Sequence, residues 1–227
     1  MTSPQLSARI AGLLYLFVVV ASTFALVTVS GLVVRGDPAA SAANILASEQ
    51  MYRLSIGATL LSAIAYTAVV ALLYALFKAV NRPLAIASAF IGLAGCAASA
   101  TFLVNQLAAL SLLGGAETHT QQLAQHALRL AALGNTVSLV FFGFYCLTLS
   151  ALVFGATFLP RLLGLFLLVA GVGWLVGNLG AIVAPDMLGP LSRYLVPVSG
   201  VGEFIFTLWL LIMGVNPEKW KAQAGET

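Results

Sequence analysis

Six apolar runs, separated by short polar stretches, set the pattern of this chain. They cover about 10–34, 54–77, 84–113, 130–159, 162–184 and 195–215. A bilayer core of about 30 Å takes roughly 20 helical residues at 1.5 Å each, so every run predicts a membrane-spanning helix. The fold class expected is all-α: a polytopic membrane protein, one transmembrane domain over 1–227, built as a six-transmembrane-helix bundle. The first run follows Arg9 and is much longer than the core of a secretory signal, so it is expected to be a retained span.

The connections carry their own signals. Asp37 before Pro38 predicts a helix N-cap with proline in the first turn, and Ala42, Ile45 and Leu46 share a side. A short surface helix over Pro38–Ser48 is therefore expected in the first loop. Lys78 to Pro83 and Pro160-Arg161 make tight turns. The third span is rich in small residues from Ala87 to Ser99, which let backbones approach, and this predicts a central place in the bundle. After Gly114-Gly115, Thr118 with Gln121 resembles a capping box, so the fourth helix should begin outside the membrane and run in. Pro185–Tyr194 is expected to be a polar hairpin, and the tail from Asn216 a polar segment with Trp220 at the interface. Gly173 and Gly177 form a GxxxG in the fifth span, a pattern compatible with a homodimer through small-residue helix faces.

Composition agrees with this pattern. Hydrophobic residues make up 61% and charged residues 7%, where a soluble domain carries about a quarter charged. The lipid bilayer is the expected partner. The net charge of +3 comes without a basic run or basic-aromatic interleaving, so nucleic acid is not an expected partner. Cys96 and Cys146 lie deep in apolar runs and are expected to pack as small apolar side chains. With six spans, both termini share a side. That side holds Arg9, Lys78, Arg82, Arg161, Lys219 and Lys221; the other holds Arg35, Arg53, Arg129 and Arg193. The Lys/Arg bias predicts a cell membrane protein with both termini and the short turns cytoplasmic.

Against this background one residue stands out. Glu203 is an acid inside an apolar run, whereas every other Asp or Glu falls in a loop or tail. Intramembrane carboxyl groups are costly and need a partner. By helical rise, Glu203 lies roughly 12 Å from the outer start of its span. Asn178, Asn105, Gln106 and Asn135 fall at comparable depth, and Arg53 at the head of the second span is the expected cation. Two functions follow from such a cluster. It is an outward-facing polar cavity that binds or transports a small molecule or lipid, or it only fixes helix packing. Without a cation nearby, the neutral acid is the cheaper buried form, and Glu203 could carry a proton.

Enzyme chemistry finds less support. His119 and His126, seven apart with Glu117 nearby, are weak metal candidates and match no metalloprotease spacing. No nucleophile elbow, phosphate loop or dinucleotide fingerprint is present, so no cofactor or catalytic residue is assigned and a membrane enzyme is the third reading. Phe141 to Tyr145 is expected to serve core and lipid-facing packing.

Several stretches together carry a resemblance: Ala8 to Leu16, Asn44 to Glu49 leading to Arg53, Val80 to Leu84, Phe141-Phe142-Gly143, Phe158 to Arg161, Gly202-Glu203, Leu208 to Leu210 and Gly214 to Asn216. In order and spacing they resemble a prokaryotic integral membrane family, domain of unknown function 4386. The resemblance covers nearly the whole chain. It implies the architecture and transfers no activity.

The orientation is directly testable. A single Cys placed at the Gly114–Thr120 loop should label with an impermeant reagent from outside intact cells, and one near Lys219 should not. The opposite pattern overturns the topology.

Overall fold

The computed structural model describes residues 3–34, 36–113 and 118–225, apart from the side chains of Thr118 and Arg193. Among these residues the chain is almost wholly helical and has no strand. Six helices are long and apolar enough to cross a membrane: α1 (Pro4–Leu32), α3 (Glu49–Phe77), α4 (Arg82–Leu113), α5 (Thr118–Gly155), α6 (Arg161–Val183) and α8 (Ser192–Ile212). The shorter elements are α2 (Pro38–Ala47), α7 (Pro185–Leu188), which runs through a single 3-10 turn into α8, and α9 (Pro217–Ala224).

Each spanning helix packs on its neighbours in sequence, and α8 closes against α1, so the six form a ring in chain order. Short connections dictate this, because a tight turn leaves consecutive antiparallel helices side by side. α4 therefore sits in the ring like the others, not at its centre. Its small residues act differently from expectation: they let large side chains of α3 and α5 pass inward. A side chain at Gly92 would run into Val70 and Tyr145, and one at Gly95 into Phe141 and Phe142.

Two faces close the ring in different ways. On the face away from the termini, α2 is a cap. Asp37 accepts a hydrogen bond from the Ala40 amide at 2.9 Å, and the Ser41 hydroxyl takes the Val34 amide at 2.9 Å, fixing the entry to the helix. Ala42 and Ile45 are buried with Tyr52, Leu103, Leu110 and Leu128, whereas Leu46 stays exposed. The surface helix thus lies over the helix ends and packs chiefly on α5. α5 has 38 residues, about 57 Å of helix, and so reaches well past a hydrocarbon core of about 30 Å. That agrees with a fourth helix starting outside the membrane; Gly114 to Glu117 and the Thr118 side chain lie outside the described residues.

On the face of the termini the closure is made by hydrogen bonds. The tail is a helix, which the sequence reading took for a polar segment. Asn216 caps α9 by accepting from the Lys219 amide at 3.0 Å. Trp220 Nε1 donates to the Leu76 carbonyl at 2.9 Å, and Gln223 Nε2 donates to the Gly155 carbonyl at 2.9 Å. Gln5 at the other end of the chain donates to the Met213 carbonyl at 3.0 Å and accepts from the Val215 amide at 2.9 Å. Both termini are therefore clasped on one face. Helix bounds also differ from expectation by a few residues: α3 starts at Glu49, α5 stops at Gly155 and α8 runs Ser192–Ile212.

The closure of α8 is tight. A Cβ at Gly12 of α1 would strike the backbone of Leu210 and Leu211, and one at Gly202 would lie 2.6 Å from the Phe166 carbonyl of α6. Gly173 faces Ser199, and Gly177 faces Ser192 and Val196, so the GxxxG face packs on α8 within the chain. Adding a methyl group at such a contact forces backbones apart, a change of about 1–3 kcal/mol. Gly12→Ala should accordingly lower the melting temperature of the detergent-purified protein. Gly31→Ala, where nothing lies within 4 Å, should leave it unchanged or slightly higher.

Candidate functional site

Glu203 sits near the middle of α8, and the ring brings aromatic donors to it from both neighbours. The Tyr15 hydroxyl of α1 donates to its Oε2 at 2.5 Å, and Trp174 Nε1 of α6 donates to its Oε1. Cys146 of α5, next to Tyr145 in the chain, is fully buried. Tyr15 is also 3.0 Å, hydroxyl to hydroxyl, from Tyr66 of α3. Tyr66 meets Tyr15, Phe142 and Tyr145 edge-on, with ring centroids 5.1, 4.8 and 5.9 Å apart. Four tyrosine and tryptophan side chains thus gather at one level with a single acid. Along their helices these residues stand about 13 to 20 Å from the ends on the face of the termini, which is near the bilayer midplane.

The local reasons are steric. Gly12 lies one turn before Tyr15 and lets α1 touch α8. Gly202 and Gly173 flank Glu203 and Trp174 and let α6 approach from the other side. Tyr15 and Tyr145 are almost fully buried, Tyr66 is buried, and Trp174 and Glu203 are half-buried. Amphipathic rings suit this place, since each fills the middle of the ring of helices and still ends in a donor. Within this cluster the buried Tyr145 hydroxyl is left without a partner among the described residues.

The residues singled out from sequence fall in different places. Glu203 faces the bundle, and Asn178 joins its surroundings through Trp174: buried one turn on, it donates from Nδ2 to the Trp174 carbonyl at 2.9 Å. Arg53 does not reach Glu203. Its Nε bonds Glu49 Oε1 at 2.7 Å in an exposed pair four residues apart, about 20 Å along α3 from Tyr66. Asn105 and Gln106 are half-buried toward the far end of α4. The Tyr52 hydroxyl donates to the Gln106 carbonyl at 3.4 Å, and Gln106 Oε1 is buried without a partner among the described residues. Asn135 is exposed on α5. His119 and His126 are exposed on the projecting end of α5, and among the described residues no three His, Cys, Asp or Glu side chains gather. Phe141 and Phe144 point outward, as packing residues should, but Phe142 and Tyr145 belong to the cluster.

The sequence reading missed Tyr15, Tyr66, Tyr145 and Trp174. The signal was available in part: each carries a hydrogen-bond donor inside an apolar run.

A ring of six apolar helices around one acid defines a multi-pass helical membrane protein. The chain belongs to the family described as a domain of unknown function (DUF4386), which it matches over residues 10–214. No curated protein and no solved structure matches it.

The Tyr15–Glu203 contact can be measured by a double-mutant cycle. Tyr15→Phe and Glu203→Gln should each destabilise the protein, and the double variant should cost less than their sum by about 1 kcal/mol. Arg53→Gln combined with Glu203→Gln should be additive within about 0.5 kcal/mol, because the two sites share no partner.

Proposed function

We propose that the protein binds a small organic cation, such as a protonated amine, at Glu203 in the middle of the membrane. What supports this most is the make-up of the cluster: an acid with no cation against it among the described residues, surrounded by Tyr15, Tyr66, Tyr145 and Trp174. A carboxylate supplies the counter-charge for an ammonium group, and aromatic faces attract cations through their quadrupoles. Intramembrane acids are functional candidates by default, and midplane sites between helices suit alternating access. To admit a cation, Tyr15 or Trp174 must release one carboxyl oxygen, so binding is coupled to movement of α8 against α1 or α6. We place the Lys- and Arg-richer face, with both termini, in the cytoplasm.

A second reading has one observation in its favour. Both carboxyl oxygens already have a donor, as in a cluster that serves packing alone. The buried Tyr145 hydroxyl weighs against it, because packing residues leave few polar groups unsatisfied.

Thermal unfolding with a panel of alkylamines separates the two. Under the binding reading, an amine raises the melting temperature of the wild type and not that of Glu203→Gln, whatever the variant's own starting value. Under the packing reading, Glu203→Gln lowers the melting temperature and no amine shifts either protein. Native mass spectrometry of the wild type should also show a retained basic molecule, lost in Glu203→Gln.

A further inference from the structure

On the face of the termini, the end of α3, the start of α4 and α9 enclose a cleft of about 450 Å³. Tyr74, Lys78, Ala79, Arg82, Trp220 and Ala224 line it. That volume falls in the range of small-ligand sites. None of the lining residues is acidic. Lys78 and Arg82 are exposed, and neither is in an ion pair among the described residues. The opposing wall is held in place, not merely nearby. Trp220 is bonded to the Leu76 carbonyl, and Gln223 accepts from both the Thr157 amide and hydroxyl at 2.9 Å. Tyr74 is half-buried and packs on the hydrophobic core.

The level of the cleft identifies its solvent. α3 ends at Phe77, where the apolar run gives way to Lys78, so the cleft lies where hydrocarbon meets headgroups. Tyr and Trp are the side chains that suit this boundary, with an apolar body and a polar tip. Two cations over an aromatic floor, with no carboxylate among the described lining residues, match an anionic phosphate ester attached to an apolar chain. Arginine adds a fork of donors suited to phosphate oxygens, and lysine a mobile point charge.

We infer that this cleft binds the phosphate of an anionic phospholipid, held by Lys78 and Arg82 against Tyr74 and Trp220. The site is separate from Glu203 and stands or falls independently of the amine-binding reading. A soluble phosphate shares the charge but not the apolar part, so it should bind the same cations more weakly.

Native mass spectrometry and thermal unfolding test this, using the full chain in nanodiscs of phosphatidylcholine with and without phosphatidylglycerol. The wild type should retain phosphatidylglycerol through detergent extraction and melt higher in its presence. Lys78→Gln with Arg82→Gln should reduce the retained fraction roughly tenfold or more and abolish the thermal shift. Lys221→Gln, on α9 outside the cleft, should change neither. A wild-type shift with pyrophosphate in pure phosphatidylcholine, lost in the double variant and as large as that with phosphatidylglycerol, would overturn the lipid assignment and make the ligand a soluble phosphate. Equal lipid retention by the double variant and the wild type, or no retention by either, would overturn the site.

Discussion

A carboxyl group at the centre of a bilayer must be given donors by the protein, because hydrocarbon has none. That single requirement organises the bundle. The two donors that meet Glu203 come from α1 and α6, which are far apart in the sequence, so α8 has to lie between them. Placing it there turns a row of hairpins into a closed ring. The glycines at 12, 173 and 202 follow from the same demand, since hydrogen bonds to a short carboxyl side chain require the backbones to come close. Neutral donors have a further merit. An arginine in this position would have added a second charge to desolvate, and buried pairs of charges often return less than that costs.

Much of the fold was legible in the amino-acid order, and the reasons differ by element. The spans were plain because hydropathy acts over 20 residues and tolerates errors of a few. α2 was plain because Asp37 and Pro38 announce a helix start. α9 had an equal announcement in Asn216-Pro217-Glu218, with Gly225 in the left-handed region at its end, but a polar composition hid it. α4 was misplaced because small residues state only that something comes close, not which helix does so.

The site was half legible. Glu203 could be picked out by cost alone. Its partners could not be found by looking for polar residues, since hydropathy counts Tyr and Trp with the apolar side chains even though each carries a donor. Arg53 was the wrong partner for a local reason: Glu49 lies one turn away on the same helix, and a neighbour at four residues is captured at little entropic expense. Long-range pairing has to compete with such local alternatives, and at a helix end exposed to solvent it does not.

The order of the ring bears on how the protein is made. Chains enter the membrane from the N-terminus onward, so α1 and α6 are in place before α8 has been synthesised. Until then Tyr15 and Trp174 face an open notch. The acid that fills it belongs to the sixth of these spanning helices, so a ribosome that stops before it leaves a bundle with a gap in its wall and idle donors facing it. Insertion of α8 is thus the event that satisfies the interior and closes the wall.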